Sequence, residues 1–240
     1  MYKRQFEPAA GYQIFFVGNI NEKTLKPLVE KYLASIPTGT GPLKWKDVEP
    51  GFPKGKTTVK VNMGQAPQST VAMVMKGRYK YDFKNNLKMN VLVGALNIEL
   101  LNKLRIEERK VYGVYMVPTL SKLPKEQYML LMGFGCSPQN VNGLVNSALG
   151  VFKKFREKGA DAATLEKVKE TSIRTRQSAV RTNKYWLKQL INADFYGSKI
   201  PSLQEYITAV HAVTPNDVKK MARKYIDPNH YVLGVLDPKK

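Results

Sequence analysis

Apolar residues at Met89, Leu92, Val93, Leu96, Leu100 and Leu104 recur at intervals of three and four. That stripe commits the segment to an amphipathic helix with one face buried, and everything on either side must pack around it. The helix runs into Leu104 to Tyr115, LRIEERKVYGVY. Val111, Tyr112, Val114 and Tyr115 are β-branched or aromatic, so a strand follows, with Gly113 marking a bulge or a close backbone approach. Arg105 and Tyr112 then stand on either side of a helix-to-strand turn. They can converge on one spot although they are seven residues apart.

Strands are expected on both sides of this junction. Tyr12 to Ile20 reads as a buried strand, followed by a helix with Leu25, Leu28, Val29, Tyr32 and Leu33 inside and Pro27 in its first turn. Residues 37–55 are rich in proline and glycine and read as a linker, with Trp45 anchoring it to a surface. A strand from Lys56 and a more buried one over Ser69 to Met75 precede the central helix, which starts after Asp82. Tyr112 to Pro118 and Tyr128 to Phe134 follow it as two further strands. Ser137 with Pro138, and Asp161, each open a helix. The second of these is predicted to run unbroken from Leu165 to Ile191, with a polar middle over Lys169 to Ser178 that is solvated or lines a wet cavity. Ser202 with Glu205 gives a capping box. Thr214, Pro215 and Asp217 open a last helix before a closing strand over Tyr231 to Leu236. The predicted fold is α+β, a mixed and largely antiparallel sheet with helices packed on one face.

Phe6 to Val17 echoes Tyr225 to Leu236: an aromatic residue, a proline turn, then an apolar strand. The simplest reading is two copies of one domain type. Residues 1–36 would be the closing strand and helix of a preceding domain, 37–55 a linker and 56–240 a complete domain. The chain begins almost at once with a strand, as a piece of a longer protein would. MYKRQFEP has no apolar core of signal-peptide length, and no run approaches the ~20 residues of a membrane span, so the chain reads as soluble.

The 39 Lys and Arg against 19 Asp and Glu give a formal charge of +20, which invites an anionic partner. The basic residues are spread along helix faces without a long run, so a nucleic-acid-binding domain is kept as an alternative only. Cys136 is the sole cysteine, which rules out an intrachain disulfide and a thiolate zinc cluster, and it reads as a small buried hydrophobe ending a strand. His211 and His230 have no partner at helical ligand spacing, so no metal site is expected in this chain. Gly133-Phe-Gly135-Cys-Ser137 reads as a strand-to-helix turn with a serine cap rather than an anion loop. On residue chemistry alone Arg105 is a solvated residue or the ion-pair partner of Glu107 or Glu108, and Tyr112 a sheet-edge residue.

Four stretches taken in order resemble the pitrilysin/insulinase family of zinc metallopeptidases: Phe15 to Pro37, Leu104 to Val141, Asn183 to Leu190 and Thr214 to Pro238. The resemblance implies homologous α+β domains paired into two halves around a chamber. The H-x-x-E-H zinc motif of that family is missing, so this sequence is similar to the non-catalytic, C-terminal half. Zinc is then expected in a catalytic half, fused or separate, and no cofactor in this chain, which alone is expected to be inactive. In relatives an arginine and a tyrosine seven residues on reach toward bound peptide. Arg105 and Tyr112 match them, which implies hydrogen bonds to the substrate backbone and to the tetrahedral intermediate. Arg174, Arg176 and Arg181, in the polar stretch, would face the chamber and favour acidic peptide segments. A free-standing structural or peptide-binding subunit of the same fold is the alternative, and bacterial relatives imply a lean to the periplasm or cell envelope.

Overall fold

The computed structural model describes residues 11–38, 46, 48 and 51–239. Trp45 and the first half of the echo, Phe6 to Ala10, lie outside the described residues. The chain divides into two compact units, Met1–Glu49 with Arg176–Ser202, and Pro50–Thr175 with Leu203–Lys240.

The second unit holds the sheet. Its strands are β1 (Lys56–Gly64), β2 (Ser69–Arg78), β3 (Val111–Ser121), β4 (Gln127–Cys136) and β5 (Tyr231–Pro238), in spatial order β1-β5-β2-β4-β3. β1 pairs with β5 in parallel and every other pairing is antiparallel, so the sheet is mixed as expected. Alternate residues of β2 and β4 (Val71, Met73, Met75, Leu130, Met132, Phe134) are buried under helices, as a period of two requires.

The covering helices are α2 (Phe83–Leu101), α3 (Val141–Lys158), most of α4 (Ala162–Ala179), α6 (Leu203–His211) and α7 (Pro215–Tyr225). All six residues of the predicted stripe on and just past α2 are buried. α2 packs against β3, α3 and α7 and so forms the spine of the unit. Its start is fixed by Asp82, whose Oδ1 accepts from the Asn85 amide at 2.8 Å. Two ion pairs tie it to its neighbours, Lys88 to Asp217 of α7 at 2.6 Å and Glu99 to Lys154 of α3 at 2.7 Å.

Asp161 accepts from the Thr164 amide at 2.8 Å, and Thr214 with Asp217 forms a reciprocal capping box, both as the sequence implied. Burial would raise the Asp217 carboxyl, but hydrogen bonds from Lys88 and Thr214 outweigh it and hold the group below its ordinary 3.8. A depressed acid contributes stability above its unfolded value and loses it as pH falls through the folded one. The melting temperature should therefore be flat down to about pH 5 and fall below the ordinary 3.8, less steeply in Asp217→Asn. A melting series in which the variant falls as steeply as the wild type would contradict this.

α3 ends on Gly159, with φ 77° and ψ −162°, a region open essentially to glycine. A Cβ there would lie 2.6 Å from the Pro215 carbonyl oxygen. Gly159→Ala is expected to cost about 2 kcal/mol in chemical denaturation.

Several sequence readings are corrected. A short 3-10 turn, Pro138–Asn140, precedes α3, and the Ser137 side chain makes no capping hydrogen bond. Gly133 and Gly135 lie within β4 rather than in a turn, and the Tyr115 ring sits where a Gly133 Cβ would be. The polar stretch after Val168 does not begin in solvent. Lys169 is buried, its Nζ donating to Glu166 at 2.9 Å and to the His211 carbonyl at 3.3 Å.

The first unit contains α1 (Glu22–Tyr32), the last residues of α4 and α5 (Asn183–Tyr196), and none of its described residues is buried. The buried strand expected over Tyr12 to Ile20 is not formed: the run pairs with no strand among the described residues and none of it is buried, so it has strand composition without a ladder. Pro27 lies past the first turn of α1, because Asn21 caps the helix early by accepting from the Lys23 amide at 3.0 Å. The predicted long helix is two helices. They break at Val180–Thr182, where Thr182 prefers to cap α5 by accepting from the Tyr185 amide.

Candidate functional site

The α2 stripe does not stop at Leu101 but widens into a π-helical turn, Asn102–Glu107. The Glu108 amide reaches back five residues to the Lys103 carbonyl at 3.1 Å, and one extra residue is accommodated in the turn. Leu104 stays fully buried and plugs the turn into the core, while Arg105 beside it faces solvent. Arg109 then adopts a left-handed backbone, φ 55°, uncommon for a residue with a Cβ. That reversal sends the chain into β3.

β3 begins with a bulge. Val111 pairs with Cys136 and Val114 with Phe134, so three steps on β3 match two on β4. Val111 and Val114 consequently both lie on the helix side, and Tyr112 is thrown outward, 94% exposed. A Cβ on Gly113 would meet nothing within 4 Å, so that glycine serves the bulge and not a close approach.

Asn97 locks helix to strand. Its Nδ2 donates to the Met116 carbonyl at 2.8 Å and its Oδ1 accepts from the Met116 amide at 2.7 Å. β3 is an edge strand, and this pair satisfies two backbone groups the edge would otherwise leave open. Sequence reasoning passed over Asn97. The available signal was a polar residue wedged between Leu96 and Leu100.

Lys103 pairs with Glu107 at 2.8 Å, and Lys103 and Lys110 each reach Glu108 at 4.0 Å. The carboxylates expected to pair with Arg105, Glu107 and Glu108, are thus taken by lysines. Among the described residues neither the Arg105 guanidinium nor the Tyr112 hydroxyl makes a hydrogen bond or ion pair. Both donors project from a rigid, core-anchored junction into solvent.

Tyr112 also stands at the rim of a cleft of about 500 Å³. Gln68 of the β1–β2 loop, Arg109, Lys110, Cys136 and Ser137 contribute to its walls, and Arg105 does not. Cys136 is buried at the end of β4, and burial, with Asp237 nearby, pushes its thiol up. A thiol so disposed is a wall group rather than a nucleophile.

The three other arginines are distributed differently. Arg174 is exposed and lies 3.7 Å from Glu170 one turn earlier. Arg176 donates to the Tyr185 hydroxyl at 2.6 Å and lies over that ring at 5.2 Å. Arg181 is exposed in the break between α4 and α5. Arg176 and Arg181 belong to the first unit and Arg174 to the second.

Among the described residues no group of three or more His, Cys, Asp and Glu side chains is placed to hold a metal ion. His211 ends α6, and His230 lies in a turn with its ring 5.4 Å from that of Phe52. The donor set here does not fit zinc. No helix among the described residues is long and apolar enough to cross a membrane.

A family model described as "Peptidase M16 inactive domain" matches residues 2–172. The probable zinc protease PqqL of Escherichia coli (strain K12) is 24% identical over 243 residues, covering 99% of this chain and 26% of that protein. The crystal structure of that periplasmic protease superposes with a TM-score of 0.72 at 19% identity, over 92% of this chain and 25% of the other. An M16 inactive domain from Pseudomonas fluorescens gives 0.73 at 16% identity, over 93% and 53%. The ferredoxin protease FusC, solved in complex with Arabidopsis ferredoxin, gives 0.72 at 17% identity, over 93% and 24%. The chain thus spans about a quarter of the length of the curated relative it matches.

Proposed function

The chain belongs to the M16 peptidase family, as its inactive-domain type, and from that premise we propose that it is the substrate-binding, non-catalytic half of a zinc metalloendopeptidase. In this reading it holds an unfolded peptide in a closed chamber while a separate H-x-x-E-H half, fused or free, supplies zinc and cuts. Arg105 and Tyr112 donate to backbone carbonyls of the peptide and to the oxygen that gains negative charge during cleavage. The observation that carries the reading is that both donors project from the α2–β3 junction unpaired by any described residue. A guanidinium and a phenol left free on a rigid support are preorganised for an acceptor that arrives with substrate.

The same reading makes 1–36 the tail of a preceding domain, 37–55 a linker and 56–240 an inactive domain. Arg174, Arg176 and Arg181 supply positive potential to the chamber. The family resemblance to a periplasmic protease supports a periplasmic or envelope setting.

Fluorescence anisotropy tests the proposal directly. A labelled unstructured peptide and a labelled DNA duplex are each titrated with this chain at low and near-physiological salt. Peptide binding that persists at the higher salt supports the proposal. DNA binding with a steep salt slope, and no salt-resistant peptide binding, overturns it in favour of a basic nucleic-acid-binding domain.

A further inference from the structure

The cleft beside Tyr112 has a chemistry that backbone recognition by Arg105 and Tyr112 does not use. Three polar side chains outside that pair line it, Arg109, Gln68 and Ser137, with Tyr112 at the rim. None of the four side chains makes a hydrogen bond or ion pair with any described residue. Ser137 stands ahead of Pro138 where a helix cap is expected, yet its hydroxyl is not spent on the helix. Lys110 adds a second cation, held 4.0 Å from Glu108, and no acidic residue lines the cleft. Arg109 is set by a left-handed backbone, φ 55°, an uncommon conformation of the kind that accumulates at ligand-holding positions. The volume, about 500 Å³, lies within the ~300–1,000 Å³ common for ligand pockets.

We propose that this cleft is a specificity subsite for a peptide carboxylate, held by Arg109 with Ser137 and Gln68 as further donors. The proposal rests on the peptide-binding reading of Arg105 and Tyr112 and adds to it a preferred substrate class, peptides with an acidic group adjoining the segment that Tyr112 contacts. Three donor-bearing wall residues beside a second cation, with no acceptor-only group among the wall residues, select an anion over a neutral side chain. The carboxylate can come from an acidic side chain or from the C-terminus of the peptide.

Three forms of one labelled ten-residue peptide separate these sources: a central Glu with an amidated C-terminus, Gln with an amidated C-terminus, and Gln with a free C-terminus. Near physiological salt, at least one carboxylate form should bind this chain about tenfold more tightly than the neutral form. The form that does so identifies the source. Arg109→Asn, chosen because asparagine tolerates the left-handed backbone, should bring that ratio to about one, and Arg109→Lys should retain part of it. Equal affinity for all three peptides overturns the subsite and leaves the peptide-binding reading standing. A ratio that survives Arg109→Asn also overturns it, since the preference would then belong to the diffuse +20 charge. Failure of every form to bind overturns the underlying reading itself.

Discussion

Arg105→Ala and Tyr112→Phe, each introduced into the assembled two-half peptidase, are expected to lower kcat by roughly 10- to 1,000-fold with a smaller change in KM. The expectation follows from where the donors sit. Neither is paired with any described residue, so removing one leaves no carboxylate or carbonyl of this chain stranded, and the fold should not be weakened. On the proposed reading, what is lost is a donor aimed at an oxygen whose charge grows during cleavage. Such a loss appears in kcat, whereas a residue that binds ground and transition states alike would appear in KM. Tyr112→Phe is the cleaner variant, because it removes one hydroxyl from a side chain that is already solvent-facing. A variant that raises KM and leaves kcat untouched would make Tyr112 an ordinary binding residue.

The second large effect concerns the support. Leu104→Ala is expected to destabilise the protein by about 2–5 kcal/mol, the range for truncating a fully buried leucine. Leu104 is 0% exposed and lies in the π-helical turn, the last residue of the α2 stripe before the chain reverses. Truncation removes its core contacts and leaves a cavity under the turn that carries Arg105. Against a total stability of ~5–15 kcal/mol this is a large fraction. The Lys110 amide also donates to the Leu104 carbonyl at 3.3 Å, a backbone bond that the substitution leaves in place. Chemical denaturation of the isolated chain measures the cost. A loss below about 1 kcal/mol would mean that the turn is held by its hydrogen bonds and not by this plug.

The parts of this architecture that were legible in the sequence are those fixed by periodicity and local chemistry. The α2 stripe, the Asp161 and Thr214 caps and the bulge at Gly113 each follow from residues near one another in the chain, whereas β2, read as more fully buried, alternates. Arg105 and Tyr112 flank that readable junction, but the role proposed for them came from the family resemblance and not from the junction itself. What was missed depends on geometry that composition does not encode. A π-helical turn has the same apolar spacing as the helix it extends. The left-handed Arg109 and the cleft it helps to wall depend on how β1–β2, β3 and β4 end in space.

The misreadings have physical causes too. A single helix from Leu165 to Ile191 looked continuous because Val180, Arg181 and Thr182 contain neither proline nor glycine. The break became visible only through Thr182 as a cap. Tyr12 to Val17 has the composition of a strand, but a strand is defined by a partner, and no described residue provides one. Lys169 looked solvent-facing because lysine normally is. The His211 carbonyl and Glu166 compensate its burial, and neither contact is predictable without the tertiary fold.

The most direct test of the central claim is amide chemical-shift mapping of the isotopically labelled chain, titrated with an unstructured peptide at near-physiological salt. The expected result is a set of perturbations concentrated over Lys103 to Val114 and the end of β4, lost in the Arg105→Ala, Tyr112→Ala double variant. Perturbations confined to other surfaces, or none at peptide concentrations that saturate binding by anisotropy, would contradict the assignment of this junction as the substrate-binding site.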